Sequence, residues 1–441
     1  MAITKVETRA DLVIIGSGLA GTAAAISAAR SGQKVVVVSR GSGASHLSSG
    51  ALDLADDPLA IAGHPEQSCR DIGQNLNQLL LRNPSHPYHL FRDGADPLGS
   101  IFNPIQEAFS QLFPAQGDYR LAGSFAQNHF ALTALGTIKA TAFTLEAFAL
   151  AGDSCLQKPL VIGLEEYPDF DPAFWPRMAA PLLEKMDAPM TGGQSSWIRV
   201  SDVPELSAPE IARLLEDAEA GERFCAAVQN EAKEFPGLTG VLLPAVLPMQ
   251  NRNQLIERLL KVTGVPAREL LGWPPSVPGL RLGLHLEDRL QRSGVGLIRG
   301  SVTGFKAEGK RIKRLGLEAA GGTREIQADR FILAAGSFAG GGLRKGKSFS
   351  EPIFNLPVFC GDHRVGEIFT QKLTREVISQ PHLLFTCGLK TDASLRPLGP
   401  EGEPVYENLA AAGAIIQGSD PSRDGTGAGV AIATGWRAGT L

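Results

Sequence analysis

Residues 11–40 run DLVIIGSGLAGTAAAISAARSGQKVVVVSR. Asp11–Ile15 is a short apolar run closed by glycine, the pattern of a strand buried on both faces of a parallel sheet. Gly16-Ser17-Gly18-Leu19-Ala20-Gly21 follows at once, an alanine-rich helix extends to about Arg30, and Lys34–Val38 supplies a second strand. Glycine is required three times for three reasons: Gly16 for the tight turn, Gly18 for close approach of backbone to a phosphate, and Gly21 for packing of helix on strand. The stripe Gly21, Ala25, Ala29 keeps that face of the helix small. The helix N-terminus offers free N–H groups and partial positive charge to an anion. The pattern predicts an α/β fold with a Rossmann-like dinucleotide-binding domain. An acidic residue commonly ends the second strand and holds the adenosine ribose, whereas here the strand ends Ser39-Arg40. Three ligands stay open: FAD with a hydroxyl contact from Ser39, NADP read by Arg40, or FMN, which has no adenosine.

Outward from this unit, 441 residues suffice for two or three domains. With 43% hydrophobic and 20% charged residues the composition is that of a globular chain. Lys and Arg total 42 against 46 Asp and Glu, and a net charge of −4 argues against nucleic acid as the main partner. Fifty glycines, about 11% where about 7% is usual, fall in clusters, which suits backbone lying close to a ligand. Cys69, Cys155, Cys225, Cys360 and Cys387 form no CxxC or ferredoxin-like run, so no metal site is expected. Met1–Ala10 lacks the apolar core of a signal peptide, and an odd set of cysteines then suits a reduced, cytoplasmic protein. The most apolar long stretch, Ala131–Gly152, carries Lys139, Glu146 and four threonines, which no membrane span would.

The texture changes near Leu156. Lys158–Gly163 reads as a strand, Ala179–Lys185 and Ile211–Ala227 as helices, and Gly240–Leu247 as another buried strand. Residues 156–279 are therefore expected to form an inserted α/β cap, with 1–155 and 280–441 making one discontinuous nucleotide-binding domain. After Pro274-Pro275, a helix Leu280–Arg292 precedes antiparallel strands Gly296–Lys306 and Arg311–Glu318 and the apolar run Arg330–Gly336. Two further glycine closures, Phe331–Gly336 and Asn408–Gly413, lead to Gly425-Thr426-Gly427 and a last small-residue helix. A second helix N-terminus can hold the negative charge of a reduced flavin, so flavin is favoured over nicotinamide.

Several segments then resemble the B subunit of anaerobic glycerol-3-phosphate dehydrogenase. They are Ser45-His46-Leu47-Ser48-Ser49-Gly50-Ala51-Leu52-Asp53-Leu54, His86-Pro87-Tyr88, Leu135–Thr141, Pro274–Leu282, Ala335–Phe338 with Gly341-Gly342, Glu351-Pro352-Ile353, Thr391–Pro397, and Glu407 through Gly427. The resemblance spans nearly the whole chain in order and is weakest over 156–270. It implies an FMN-carrying flavoprotein that oxidises sn-glycerol 3-phosphate to dihydroxyacetone phosphate. It also implies an FAD-containing partner subunit and a membrane-associated iron–sulfur subunit passing electrons to quinone. The protein would then sit at the inner face of the cell membrane through that partner, with no span of its own. The family often has Cys in the last glycine cluster where this chain has Thr426.

Oxidation of a secondary alcohol needs a hydride acceptor and a base for the hydroxyl proton. His46, His285 and Asp392 are the catalytic candidates, with His129 and Glu351 as further bases. His46 lies where fumarate reductase-like flavoproteins carry a covalently attached flavin, and it reads equally as a hydrogen-bonding His in a flavin loop with no covalent bond. Gly16, Gly18, Gly21, Ser39, Arg40, His46, Ser48, Ser49, Gly50, Gly336, Gly413, Gly425, Thr426 and Gly427 are expected around the cofactor, FMN with FAD as the alternative. Lys139, Arg281 and Arg396 are candidates for the substrate phosphate. Two other functions fit the pattern: an electron-transfer and assembly subunit without a substrate site, and a free-standing NAD(P)H-dependent flavin reductase.

Overall fold

A computed structural model of the chain describes residues 6–41, 43–92, 96–117, 119–346, 349–367, 370–377 and 380–441. Residues 1–5, half of the segment expected to carry no apolar leader, lie outside them. The elements that build the nucleotide-binding unit are β1 (Val6–Ile15), α1 (Leu19–Arg30), β2 (Val35–Ser39), α2 (Val277–Arg292), β3 (Gly296–Glu308), β4 (Arg311–Ala319), β5 (Gly322–Leu333), β6 (Leu409–Ala411) and α3 (Gly427–Thr440). The strands lie parallel in the order β3-β2-β1-β5-β6, with Ile14 opposite both Val37 and Ile332. β4 pairs antiparallel with the outer half of β3 and the first half of β5. Central position explains composition: Leu12, Val13 and Ile14 are wholly buried, so β1 has no polar face to show.

α1 and α3 pack against one another closely because both are built from small residues. A Cβ added at Gly435 would run into the Ala20 carbonyl oxygen, and one at Gly439 into that of Ala24. This brings the N-terminus of α3 alongside the first glycine turn.

A second, four-stranded parallel sheet is ordered Ala267–Glu269, Gly240–Leu243, Pro159–Leu164, Gln194–Ile198. Helices Trp175–Lys185, Ala218–Lys233 and Arg252–Thr263 accompany it, around a core that includes Leu160, Trp175, Phe224 and Leu242. The hairpin of His129–Leu132 and Ile138–Thr141 sends Phe130, Leu132 and Ile138 into that same core, although it precedes residue 156. The helix expected over Ile211–Ala227 is two helices, Ala208–Leu214 and Ala218–Lys233. Asp217 makes the break, its carboxylate accepting from Ala220 N at 2.9 Å as an N-cap. α2 begins at Val277 rather than Leu280, since Pro278 is tolerated in a first turn and Ser276 caps Gly279 N at 3.1 Å.

Candidate functional site

The glycine turn, the end of β2 and the N-terminus of α3 enclose a cavity of about 540 Å³. Its floor is the turn itself. Gly16 has φ +112°, and a Cβ there would run into the Ala334 carbonyl oxygen; a Cβ on Gly21 would run into the Gly16 carbonyl oxygen. At Gly18 the nearest atom to an added Cβ is Ser45 Oγ, 3.1 Å away, so the glycine is open on the cavity side. Ser45 Oγ accepts from Leu19 N at 3.2 Å and fixes the loop after β2 against the start of α1.

One arm of the cavity follows β2. Val38, Ser39, Arg40, Ser301, Val302, Gly341 and Arg344 line it. Ser17 Oγ donates to Ser39 Oγ at 2.8 Å, and Ser39 Oγ donates onward to the Gly41 carbonyl at 3.2 Å. The Arg40 guanidinium lies over Gly341, where a Cβ would approach it to 3.0 Å.

The other arm runs past Ser48, Ala51 and Asp53 to Gly413, Gly427 and Ala428. Behind it stands a charged cluster. Lys139 Nζ lies 2.9 Å from Asp53 Oδ2 and 3.7 Å from Asp56 Oδ2. The Oδ1 atoms of Asp53 and Asp56 are buried with no hydrogen-bond partner among the described residues. Burial first, and then the charge of Asp53, push the Asp56 carboxyl well above the usual carboxylate range, with Lys139 opposing. For Lys139, burial pulls downward but the two carboxylates outweigh it, and its pKa is raised. Gly429 N donates to the Asp53 carbonyl at 3.0 Å, joining the cluster to α3. Gly425, with φ +56°, backs directly onto the Asp56 carboxylate. Thr426 is buried and bonded to His86 Nε2 at 3.3 Å; burial takes His86 down to about 3, so it is neutral. Tyr88 Oη donates to the Leu54 carbonyl at 2.9 Å.

Of the expected cofactor residues, Gly16, Gly18, Ser39, Arg40, Ser48, Gly336, Gly413 and Gly427 line the cavity. Gly21 supports the turn from behind, and Gly425 and Thr426 support the α3 terminus. Ser48 Oγ accepts from Gly50 N at 3.2 Å and donates to the Ala51 carbonyl at 3.3 Å, which shapes the loop. Ser49 and Gly50 lie outside the lining; Gly50 packs against Phe148 and Pro278.

The catalytic candidates do not converge. His46 faces a second, smaller cavity of about 300 Å³ with Arg213, Glu287 and Arg299, and its ring covers Gly283. Burial lowers its pKa, Glu287 raising and Arg299 lowering it in lesser degree. His285 Nε2 donates to the Leu112 carbonyl at 2.7 Å and stacks on Tyr119, centroids 4.5 Å apart, away from the cavity. Asp392 accepts from Arg396 Nε at 2.8 Å and from Ser394 and Arg396 backbone N–H groups, so Asp392 and Arg396 neutralise one another within a turn. His129 is half-buried in the cap hairpin, and Glu351 caps Ile353 N and Phe354 N at 2.7 Å. Arg281 is also placed differently from the expectation. It is 3% exposed and bonds Glu269 through two nitrogens, at 2.7 and 2.9 Å, which leaves it no phosphate to meet. Among the three expected phosphate ligands only Lys139 lies beside the cavity wall. Sequence reasoning missed Asp53, Asp56 and Tyr88 as site residues, although Asp53 and Tyr88 fall within the motifs quoted above. Two carboxylates three residues apart were the available signal.

The chain matches the family described as "FAD binding domain" over residues 11–430. It is 33% identical over 436 residues to the B subunit of anaerobic glycerol-3-phosphate dehydrogenase from Yersinia pestis bv. Antiqua (strain Antiqua), covering 96% of this chain and 95% of that one. It is 28% identical over 446 residues to the protein of the same name from Vibrio cholerae serotype O1 (strain ATCC 39315 / El Tor Inaba N16961), covering 97% and 95%. Among solved structures, 3-ketosteroid-delta4-(5alpha)-dehydrogenase from Rhodococcus jostii RHA1 aligns with a TM-score of 0.40 at 15% identity, over 100% of this chain and 98% of that one. A flavin suits the residues present: Gly18 open on the cavity side, and N-termini of α1 and α3 whose N-cap residues, Gly18 and Thr426, make no side-chain cap bond.

Proposed function

The chain belongs to the family of the anaerobic glycerol-3-phosphate dehydrogenase B subunit, and from that membership we propose that it oxidises sn-glycerol 3-phosphate to dihydroxyacetone phosphate on a bound flavin. The observation that carries this reading is the two-armed cavity. Its glycine floor and α1 N-terminus suit a phosphate, and its inner arm ends on a helix N-terminus beside Asp53 and Lys139.

We propose FAD, in place of the FMN expected from the sequence. The arm along β2, between Arg40 and Val302, is where an adenosine lies when a dinucleotide crosses such a turn. FMN would leave that arm empty. The description of the matched family supports the same choice.

A bound flavin supplies the hydride acceptor. The chain's own groups do the rest. Asp53, paired with Lys139 at the cavity wall, takes the proton from the substrate hydroxyl. Burial and the charge of Asp53 raise the Asp56 pKa, so proton release falls to Asp53 rather than to Asp56. The uncapped N–H groups at the start of α3 favour negative charge in the inner arm. Electrons then leave through an iron–sulfur partner at the membrane. Among the described residues no three His, Cys, Asp or Glu side chains are grouped to hold a metal, and no helix is long and apolar enough to cross a membrane.

A second reading has one specific observation in its favour. Lys139, Arg281 and Arg396 each already face a carboxylate, and they are not gathered at one place. In that reading the chain relays electrons from substrate oxidised on another subunit. Anaerobic addition of sn-glycerol 3-phosphate to the purified, flavin-loaded chain separates the two. Bleaching of the visible flavin band, slowed about 10²- to 10⁴-fold in Asp53→Asn, supports oxidation here. A flavin that dithionite bleaches and substrate does not would establish the relay.

A further inference from the structure

We infer that Cys360 and Cys387 form a dithiol–disulfide couple, a two-electron redox site separate from the flavin. The two cysteines are far apart in sequence, and the backbone brings them together. Phe359 and Gly388 exchange both hydrogen bonds, Phe359 N to the Gly388 carbonyl at 2.8 Å and Gly388 N to the Phe359 carbonyl at 3.0 Å. Cys360 and Cys387 are the residues next to that bridge on the same side, and in an antiparallel pair such neighbours face one another. Facing positions of an antiparallel pair lie within the Cα range that a disulfide spans. The thiols also turn to the same side. Cys387 Sγ donates to the Leu383 carbonyl at 3.3 Å, and Cys360 Sγ lies 3.8 Å from the same oxygen and 3.8 Å from Thr386 Oγ1. Both are free thiols in this structure.

The two sulfurs are chemically unequal, which gives the couple a direction. The neighbouring Cys387 thiol, with help from Thr386 and His363, brings Cys360 down to about 6, against the opposing effect of burial. Cys387 is pushed upward by the neighbouring Cys360 sulfur and by burial. Cys360 is therefore the attacking thiolate at neutral pH. A low-molecular-weight disulfide is the oxidant. The Cys360 thiolate attacks one of its sulfurs, forming a mixed disulfide and releasing one small thiolate. Cys387 then loses its proton, attacks the Cys360 sulfur and expels the second small thiol. Two protein thiols become one disulfide, the oxidant takes two electrons and two protons, and nothing else is consumed. The second step is eased by the first, since a Cys360 held as mixed disulfide no longer carries the charge that helps retain the Cys387 proton.

Cys360 and Cys387 are buried, but the turn beside them, Leu383–Thr386, exposes Leu383 and Phe385 to solvent. The site also adjoins the flavin cavity indirectly. Leu389, two residues beyond Cys387, pairs with the segment that leads back to Gly413 at the cavity wall, through Leu389 N to the Ile415 carbonyl at 2.8 Å.

The test is incubation of the full, reduced chain with oxidised glutathione, followed by intact mass, thiol titration and peptide mapping. The expected result is a loss of about 2 Da and two titratable thiols, a Cys360–Cys387 linked peptide, and full recovery with dithiothreitol. Cys387→Ser should trap Cys360 as a stable glutathione adduct, and Cys360→Ser should leave Cys387 unmodified. Cys155→Ser and Cys225→Ser should change nothing. Five titratable thiols after incubation, or glutathione attached only at Cys69, would overturn the inference, and this readout on the unmutated chain does not depend on any variant folding.

Discussion

Gly16 and Gly18 sit two residues apart and do different work. Gly16 has a left-handed φ and its missing Cβ makes room for the Ala334 carbonyl, so it holds the turn on β5. Gly18 has an ordinary φ and faces the cavity with only Ser45 Oγ near it. Gly18→Val should therefore fold with native circular dichroism yet retain roughly tenfold less flavin, since the side chain fills ligand space rather than protein space. A native-like flavin content in that variant would contradict the phosphate-cradle role of the turn. Asp424 makes a second prediction. Burial pushes its carboxyl up to about 6, with the Asp420 N–H pulling the other way. A raised carboxyl pKa means that the folded chain binds the proton more tightly than the unfolded one. The stabilisation is complete below about pH 4 and is lost as pH rises through about 6. Asp424→Asn should thus gain stability relative to the unmutated chain as pH rises from about 4 to above 6, by about 3 kcal/mol; a pH-independent difference in melting temperature would refute this. These residues also differ in legibility. Glycine needs follow from local backbone geometry and are readable in the sequence. The direction of a side chain is not: the loop holding His46 is legible, but only packing against Gly283 turns the ring away from the cavity.

At the scale of elements, β1, α1 and β2 are legible because apolar runs and small-residue spacing specify them without outside help. The antiparallel strands β3 and β4 are legible too. What periodicity does not show is that β3 serves two partners, pairing parallel with β2 over Gly296–Arg299 and antiparallel with β4 beyond. Nor does it show the joint between cap and nucleotide-binding unit. There, Arg281 on α2 reaches across to Glu269 on the edge strand of the cap sheet, while also donating to the Leu247 and Pro248 carbonyls. Both partners are buried. Glu269→Gln leaves a guanidinium buried without its counter-charge, and should cost about 3–5 kcal/mol, read as a lower urea midpoint at unchanged slope. A loss under about 1 kcal/mol, the size typical of an exposed pair, would show that water reaches the joint.

For the molecule as a whole, family and fold class are readable because their motifs are spread along nearly the entire chain. The site is readable only in part. The cavity-lining glycines announce themselves, whereas the Asp53–Asp56–Lys139 cluster exists only once the strand carrying Lys139 is laid beside the loop after β2. The identity of the flavin turns on the same kind of information. Ser39-Arg40 at the end of β2 points away from an adenosine, yet the cavity continues along that strand past Arg40 to Val302. The central claim, that this cavity holds a whole dinucleotide, is tested most directly by acid precipitation of the purified chain and chromatography of the released flavin. The account predicts FAD in the supernatant, one per chain, with a colourless pellet because His46 faces elsewhere. FMN in the supernatant, or flavin that stays with the pellet, would contradict it.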